Sequence, residues 1–223
     1  MHMTMKPNIH ITGNGSTNGG SYHNVRVMGE AQIFGPLESD SIRSMGNIEV
    51  DGSLKSGKIR LIGEASVRGD LFGNDFSIMG QMDLQGSMRS RTIKIRGQLD
   101  VRGECEADAF DSRGGFHIHG LLNANEVDIR TWGPCRAKEI GGGRITVRPT
   151  KWGGIKQFFS GQGPMTLTAE LIEGETIYLE NTIADVVRGT HVTIGSGCRI
   201  GTVEYRKSLK RSGYAQIKKE LKL

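Results

Sequence analysis

Glycine recurs along this chain at a constant interval of 17 residues: Gly29, Gly46, Gly63, Gly80, Gly97 and Gly114 form one series. A second series, Gly35, Gly52, Gly69, Gly86, Gly103 and Gly120, keeps the same interval six residues further along. Apolar residues keep step with both. One column holds Val25, Ile42, Ile59, Phe76, Ile93, Phe110 and Val127, and a second runs from Ala31 through Ile48 to Phe116. A third runs from Ile33 through Val50 to Ile118, and a fourth from Leu37 through Leu54 to Cys105 and Leu122. No insertion or deletion breaks the register between Val25 and Asn125. One such repeat has too little apolar surface to form a core alone, so the chain must stack each repeat on the next as a solenoid.

Inside a repeat the apolar positions are two apart, as in Val25/Val27 and Ala31/Ile33, which is strand periodicity. Glycine or a small polar cluster follows each short strand, where the chain has to turn. Three strands and three corners account for one repeat, so the expected fold is all-β, a single-stranded parallel β-helix of triangular section. Successive coils then lie about 4.8 Å apart. The composition suits narrow coils with many corners: 33 of 223 residues are glycine and 6% are aromatic. The formal charge of +5 permits contact with anionic surfaces without selecting one.

The chain divides by its pattern. Residues 1–21 lack periodicity and are expected to form a flexible lead, with Ile9 and Ile11 available as a partial strand capping the first coil. Regular coils are expected over 22–148, with Ile145 and Val147 inward but displaced by one residue from the earlier phase. An aromatic loop is expected as an insertion at 149–164. Its Trp152, Phe158 and Phe159 are candidates for contact with a partner or a membrane. Coils resume over 165–205, where period 17 pairs Thr176 and Ile177 with Thr193 and Ile194, Ile183 with Ile200, and Val186 with Val203. The segment 206–223 is a basic tail or a short capping helix, since Tyr214, Ile217 and Leu221 fall at helical spacing.

Residue chemistry argues against catalysis. Corners are minimal, no pair of carboxylates stands out, and no catalytic residue, cofactor or metal is expected. The stretch from Thr193 to Gly201 is similar to the hexapeptide pattern of left-handed β-helix acyltransferases, but the dominant interval is 17 rather than 18. His117 and His119, with Asp100 one repeat away, read as a surface pair rather than a metal centre. Cys105, Cys135 and Cys198 are odd in number and lack a C-x-x-C spacing, and Cys105 takes an inward place. With no signal peptide and no run of about 18 apolar residues, a cytoplasmic protein with reduced thiols is expected.

Two outward columns stand out. Arg26, Arg43, Arg60 and Lys94 form a basic stripe, expected to be a solvated face. Met28, Met45, Ile62 and Met79, each preceding a glycine, are expected to turn into the core; facing outward, they would make a lateral contact.

Glycine-punctuated repeats such as Ile59-Arg60-Leu61-Ile62-Gly63-Glu64-Ala65-Ser66-Val67-Arg68-Gly69 resemble those of the bactofilins, bacterial polymer-forming cytoskeletal proteins. The resemblance covers residues 22 to 205. It implies a right-handed β-helix that polymerises end to end without nucleotide. It also implies a cytoplasmic scaffold for cell shape, envelope growth or motility, in some members at the inner face of the membrane. The interrupted helix and the absence of proline-rich tails depart from the family pattern. An uncapped β-helix has its own physical reason to polymerise, because each end presents unpaired N–H and C=O groups to another copy. The expected partner is therefore the chain itself, head to tail, besides another bactofilin-like protein or a membrane or envelope protein; no specific nucleic acid is expected. The contact is expected at Val25, Val27, Ala31 and Ile33 at one end and Val192, Ile194, Ile200 and Val203 at the other. The alternative is a non-polymerising adaptor that binds a protein through the 151–159 loop or the Met28 column.

Overall fold

The computed structural model describes residues 6–150 and 165–223. All regular structure in it is strand, in nine elements. The chain forms two compact units, Met1–Glu104 and Cys105–Leu223.

The first unit contains β1 (Ile9–Asp51), β2 (Leu54–Val67), β3 (Leu71–Leu84) and β4 (Met88–Val101). Each pairs with the next in parallel, and the register is one repeat throughout: Leu37 faces Leu54, Leu54 faces Leu71, and Leu71 faces Met88. The glycine interval is therefore the perimeter of a coil. Three inward pairs per coil build the interior. In the coil starting at Ile42 these are Ile42/Ser44, Ile48/Val50 and Leu54/Ser56, all buried. Stacking like on like puts Ile42 beneath Ile59 and Ile59 beneath Phe76, so the apolar columns are continuous ladders. The serines are a feature the apolar columns do not announce. The Ser39 hydroxyl donates to the Ser56 oxygen at 3.1 Å, and Ser56 donates onward to the Lys58 carbonyl. Ser90 reaches the Asn74 and Thr92 carbonyls. A hydroxyl at this corner satisfies carbonyls that the turn leaves without a ladder partner.

The glycine corner has a steric cause. Gly29, Gly46, Gly63 and Gly80 all have positive φ, between 117° and 137°. A Cβ on Gly46 would also run into the Gly29 carbonyl oxygen of the coil before it. Both demands exclude every other residue.

The second unit contains β5 (Cys105–Pro149), β6 (Leu167–Leu179), β7 (Thr182–Ile194), β8 (Arg199–Arg211) and β9 (Gln216–Lys222), again all parallel. Its core holds an edge-to-face pair, Phe110 and Phe116, with ring centroids 5.5 Å apart and both side chains buried. Ile145 and Val147 point inward as expected. Between β5 and β6 the register jumps, Cys135 facing Leu167. The expected loop from residue 151 to 164, with Trp152, Phe158 and Phe159, lies outside the described residues.

Three expectations are corrected here. The lead is not flexible from Ile9 onward: β1 begins there, and the His23 amide donates to the Pro7 carbonyl at 2.8 Å. Asn24 reinforces this first coil, its backbone and side-chain amides both donating to the Asn8 side-chain oxygen. The resumed coils do not keep period 17. Leu167 faces Thr182 and Ala184 faces Ile200, so Leu179 rather than Ile177 stacks with Ile194, and Val187 rather than Val186 with Val203. Shortened corners shift the chain, and an odd shift exchanges the two faces of a strand. Ile183 is accordingly exposed at 40% while Ala184 is inside. An irregularity between Gly189 and His191 brings the last register back to one repeat. The final segment is strand rather than helix. Gln216 donates to the Cys198 carbonyl and Leu223 to the Tyr205 carbonyl, both at 2.9 Å. A short helix is marginal in water, whereas a neighbouring strand edge satisfies the same groups at once.

Candidate functional site

The eight residues expected to join subunits lie inside the structure. Val25, Val27, Ala31 and Ile33 are 0–6% exposed, and Val192, Ile194, Ile200 and Val203 are 0–2% exposed. A further coil lies beyond each group, so the described end faces belong to other residues. At one end Ile9 and Ile11 are half-buried, on β1 one coil before Val25 and Val27. Their signal in the sequence is their spacing, 16 residues before those valines. At the other end Ile217 stacks on Ile200, but the interior columns run out into charge. Val203 is followed by Glu220 and Ile194 by Arg211, and the Arg211 guanidinium donates to the Glu220 carboxylate at 2.9 Å. The last described rung therefore has a polar outer side, the feature that keeps a terminal repeat soluble.

The methionine column faces solvent, contrary to expectation. Met28, Met45, Ile62 and Met79 are 41, 48, 39 and 58% exposed. Strand parity explains this: each is two residues beyond the Arg26 column, hence on the same outer side, and the glycine corner begins only after it. Met45, Ile62 and Met79 are direct register partners, so the side chains form one straight apolar ladder at the strand spacing of about 4.8 Å.

Charge flanks this ladder on both sides. On one side stand Arg26, Arg43, Arg60 and, beyond Ser77, Lys94, all but Ser77 exposed. Among the described residues none of these four cations has an acid within ion-pairing distance. Across the glycine corner lies a groove of about 660 Å³ lined by Glu30, Gln32, Glu49, Glu64, Gln81 and Asp83. Of its acids Glu49 is held by Arg68 at 3.0 Å, and Asp83 accepts from Gln81. The ladder thus runs between a basic margin and an acidic one. It ends at Arg96, whose guanidinium turns back onto the Ile95 carbonyl.

In the second unit a shallow groove of about 590 Å³ holds Arg188 between two acids, donating to Glu204 at 2.6 Å and Glu173 at 3.2 Å. The Glu204 hydrogen bond, then the two carboxylate charges, raise the Arg188 pKa still further. That cation is already shared between two acids of this chain. The Tyr178 hydroxyl donates to the Glu180 carboxylate, which raises its pKa, and Arg148 sits over the ring 4.8 Å from its centroid. His117 and His119 lie on β5, half-buried, with ring centroids 3.7 Å apart.

All three thiols are free and buried. Burial pushes Cys105 and Cys135 from 9.0 to about 12 and Cys198 to about 11. A thiol so far from ionising at neutral pH is neither a nucleophile nor a ready metal ligand.

The chain is 46% identical over 86 residues to YhbF, an uncharacterized protein of Bacillus subtilis strain 168, covering 39% of this chain and 34% of that protein. It is 40% identical over 91 residues to YhbE, an uncharacterized protein of the same strain, covering 41% of this chain and 38% of that protein. The chain therefore spans well under half the length of either relative. No protein-family profile matches the chain, and no solved structure matches it.

Proposed function

We propose that this protein is a structural scaffold that assembles through the ends of its solenoid into filaments without nucleotide, in the bacterial cytoplasm or at the inner face of its membrane. The observation that supports it is the uninterrupted parallel ladder of the first unit, which leads outward to a rung carrying half-buried Ile9 and Ile11. A rung of that kind offers both backbone hydrogen bonds and apolar columns to another copy. Burying two isoleucines and the accompanying ladder is a contact of the right chemistry for self-association, and no reacting group is needed for it. The Arg211–Glu220 pair gives the last described rung a polar outer side, so the apolar share of a head-to-tail contact comes from the Ile9 rung. A scaffold of this kind would serve cell shape, envelope growth or motility, as the bactofilin resemblance implies.

Negative-stain electron microscopy of the purified full chain at low and moderate salt tests this. Thin filaments that vanish on Ile11→Lys, with the fold intact by circular dichroism, are the expected result. Monodisperse particles of the unaltered chain at every salt concentration would overturn the scaffold and favour a non-polymerising adaptor.

A further inference from the structure

The exposed ladder is a built surface rather than scattered apolar residues. Four side chains on consecutive coils, each 39–58% exposed, lie in one line, with cations that pair with no acid among the described residues along one margin and carboxylates along the other. We propose that this face of the first unit docks an amphipathic α-helix of a partner protein, laid along the coil axis, with an apolar stripe over Met28, Met45, Ile62 and Met79 and acidic residues on the flank facing Arg26, Arg43 and Arg60.

Backbone pairing excludes an extended segment. The strands carrying Met45, Ile62 and Met79 already have parallel partners, so this face offers no free edge and recognition must go through side chains. Spacing selects the helix. Neighbouring rungs repeat at about 4.8 Å, and a helix repeats its apolar stripe at about 5.4 Å per turn, so four rungs and four turns stay nearly in phase. Methionine is the side chain best able to absorb the remaining mismatch, since it is unbranched, flexible and polarizable. The margins set orientation. Among the described residues Arg26, Arg43, Arg60 and Lys94 have no acid within ion-pairing distance, so an acidic flank supplies one. A basic opposite flank would meet Glu30 and Glu64 across the corner, fixing which way the helix runs. The same acidic margin disfavours an anionic bilayer, which would bring its phosphates against Glu30, Glu64 and Asp83. This binding depends on the first unit alone and not on filament formation.

The probe is a synthetic helical peptide of about 16 residues with leucines at i, i+4, i+7 and i+11, glutamates on one flank and lysines on the other. Its companion carries lysines on both flanks. Fluorescence anisotropy with the full chain is expected to show the glutamate-flanked peptide binding at least about tenfold tighter. The Met45→Ser/Met79→Ser variant should weaken it by about tenfold or more. Both positions are exposed, so the fold is retained. Arg43→Glu/Arg60→Glu should reverse the preference in favour of the all-lysine companion. Absence of binding, equal binding of the two peptides, or unchanged binding by the methionine variant would overturn the proposal. So would retention on phosphatidylglycerol vesicles with neither peptide bound, which would assign the face to lipid. A chain that forms filaments and binds no peptide loses this inference alone; one that binds the peptide and forms none loses only the scaffold.

Discussion

Three glycine-to-alanine substitutions separate the two demands that shape each coil. Gly35 has φ +96° but open space around it, with nothing within 4 Å of an added Cβ. Gly52 lacks a positive φ, yet its Cβ would lie 2.7 Å from the Gly35 carbonyl carbon and the Pro36 nitrogen. Gly63 combines both, with φ +117° and the Gly46 carbonyl oxygen in the way. At Gly35 strain costs about 1–3 kcal/mol, and the reduced freedom of the unfolded chain returns about 0.4–1. The net loss should therefore be about 1–2 kcal/mol. At Gly63 the same strain applies, and the neighbouring carbonyl must also retreat by roughly 1 Å, weakening a ladder bond worth about 1 kcal/mol and opening the packing around it. The loss expected for Gly63→Ala is about 3–5 kcal/mol, with Gly52→Ala between the two. Urea denaturation followed by far-ultraviolet circular dichroism would read these as midpoint shifts at constant slope. Gly63→Ala within about 0.5 kcal/mol of the unaltered protein, or Gly35→Ala as costly as Gly63→Ala, would refute the steric account of the corner.

Two titrations follow from the structure. Because burial raises Cys105 and Cys135 to about 12 and Cys198 to about 11, the stability they confer is complete below the unfolded thiol value. It is lost as pH climbs from 9.0 toward those values, so melting temperature should fall on the alkaline side. Thiol labelling at pH 8 should stay silent until denaturant is added; rapid labelling of the native chain would contradict the burial. On the acid side, the Thr92 hydroxyl donates to Asp75 at 2.9 Å and, with Arg91, lowers the Asp75 pKa below 3.8. That interaction stabilises the fold above the ordinary carboxyl range and is lost as pH falls. Thr92→Val should move the Asp75 titration upward in a carboxyl NMR experiment, and an unmoved titration would remove Thr92 as the main cause.

The solenoid was legible in the chain because its cause is local and repeated. A corner that accepts only glycine, followed by two inward apolar positions, recurs without insertion or deletion from Val25 to Asn125, and stacking adds nothing that would alter that pattern there. Cys105 reads inward for the same reason, since its column leaves it no other face, while Ile145 and Val147 read inward from their own spacing of two, one residue out of the earlier phase. Where one residue decides a face, the pattern lost its authority. Ile183 and Ala184 are adjacent, and only the shortened corner before β7 shows which is inside. Met28 and its column were ambiguous because the direction of a corner is not written in the hydropathy of the residue before it.

The ends were the least legible part. Helical spacing of Tyr214, Ile217 and Leu221 is a property of the segment, but the strand that takes up Ile217 and Leu221, with Tyr214 left in the turn before it, is a property of the rung beneath, whose unpaired edge the segment completes. Likewise Val27 and Ile194 look terminal by repeat count, yet a less regular coil at each end covers them. Periodicity, glycine placement and apolar columns determined the coil and its stacking direction, because each coil contacts only its neighbours and local chemistry suffices. Tertiary structure alone decided which columns meet solvent, where the register slips and what closes the ends, because those depend on backbone edges and corner angles that no residue carries on its own.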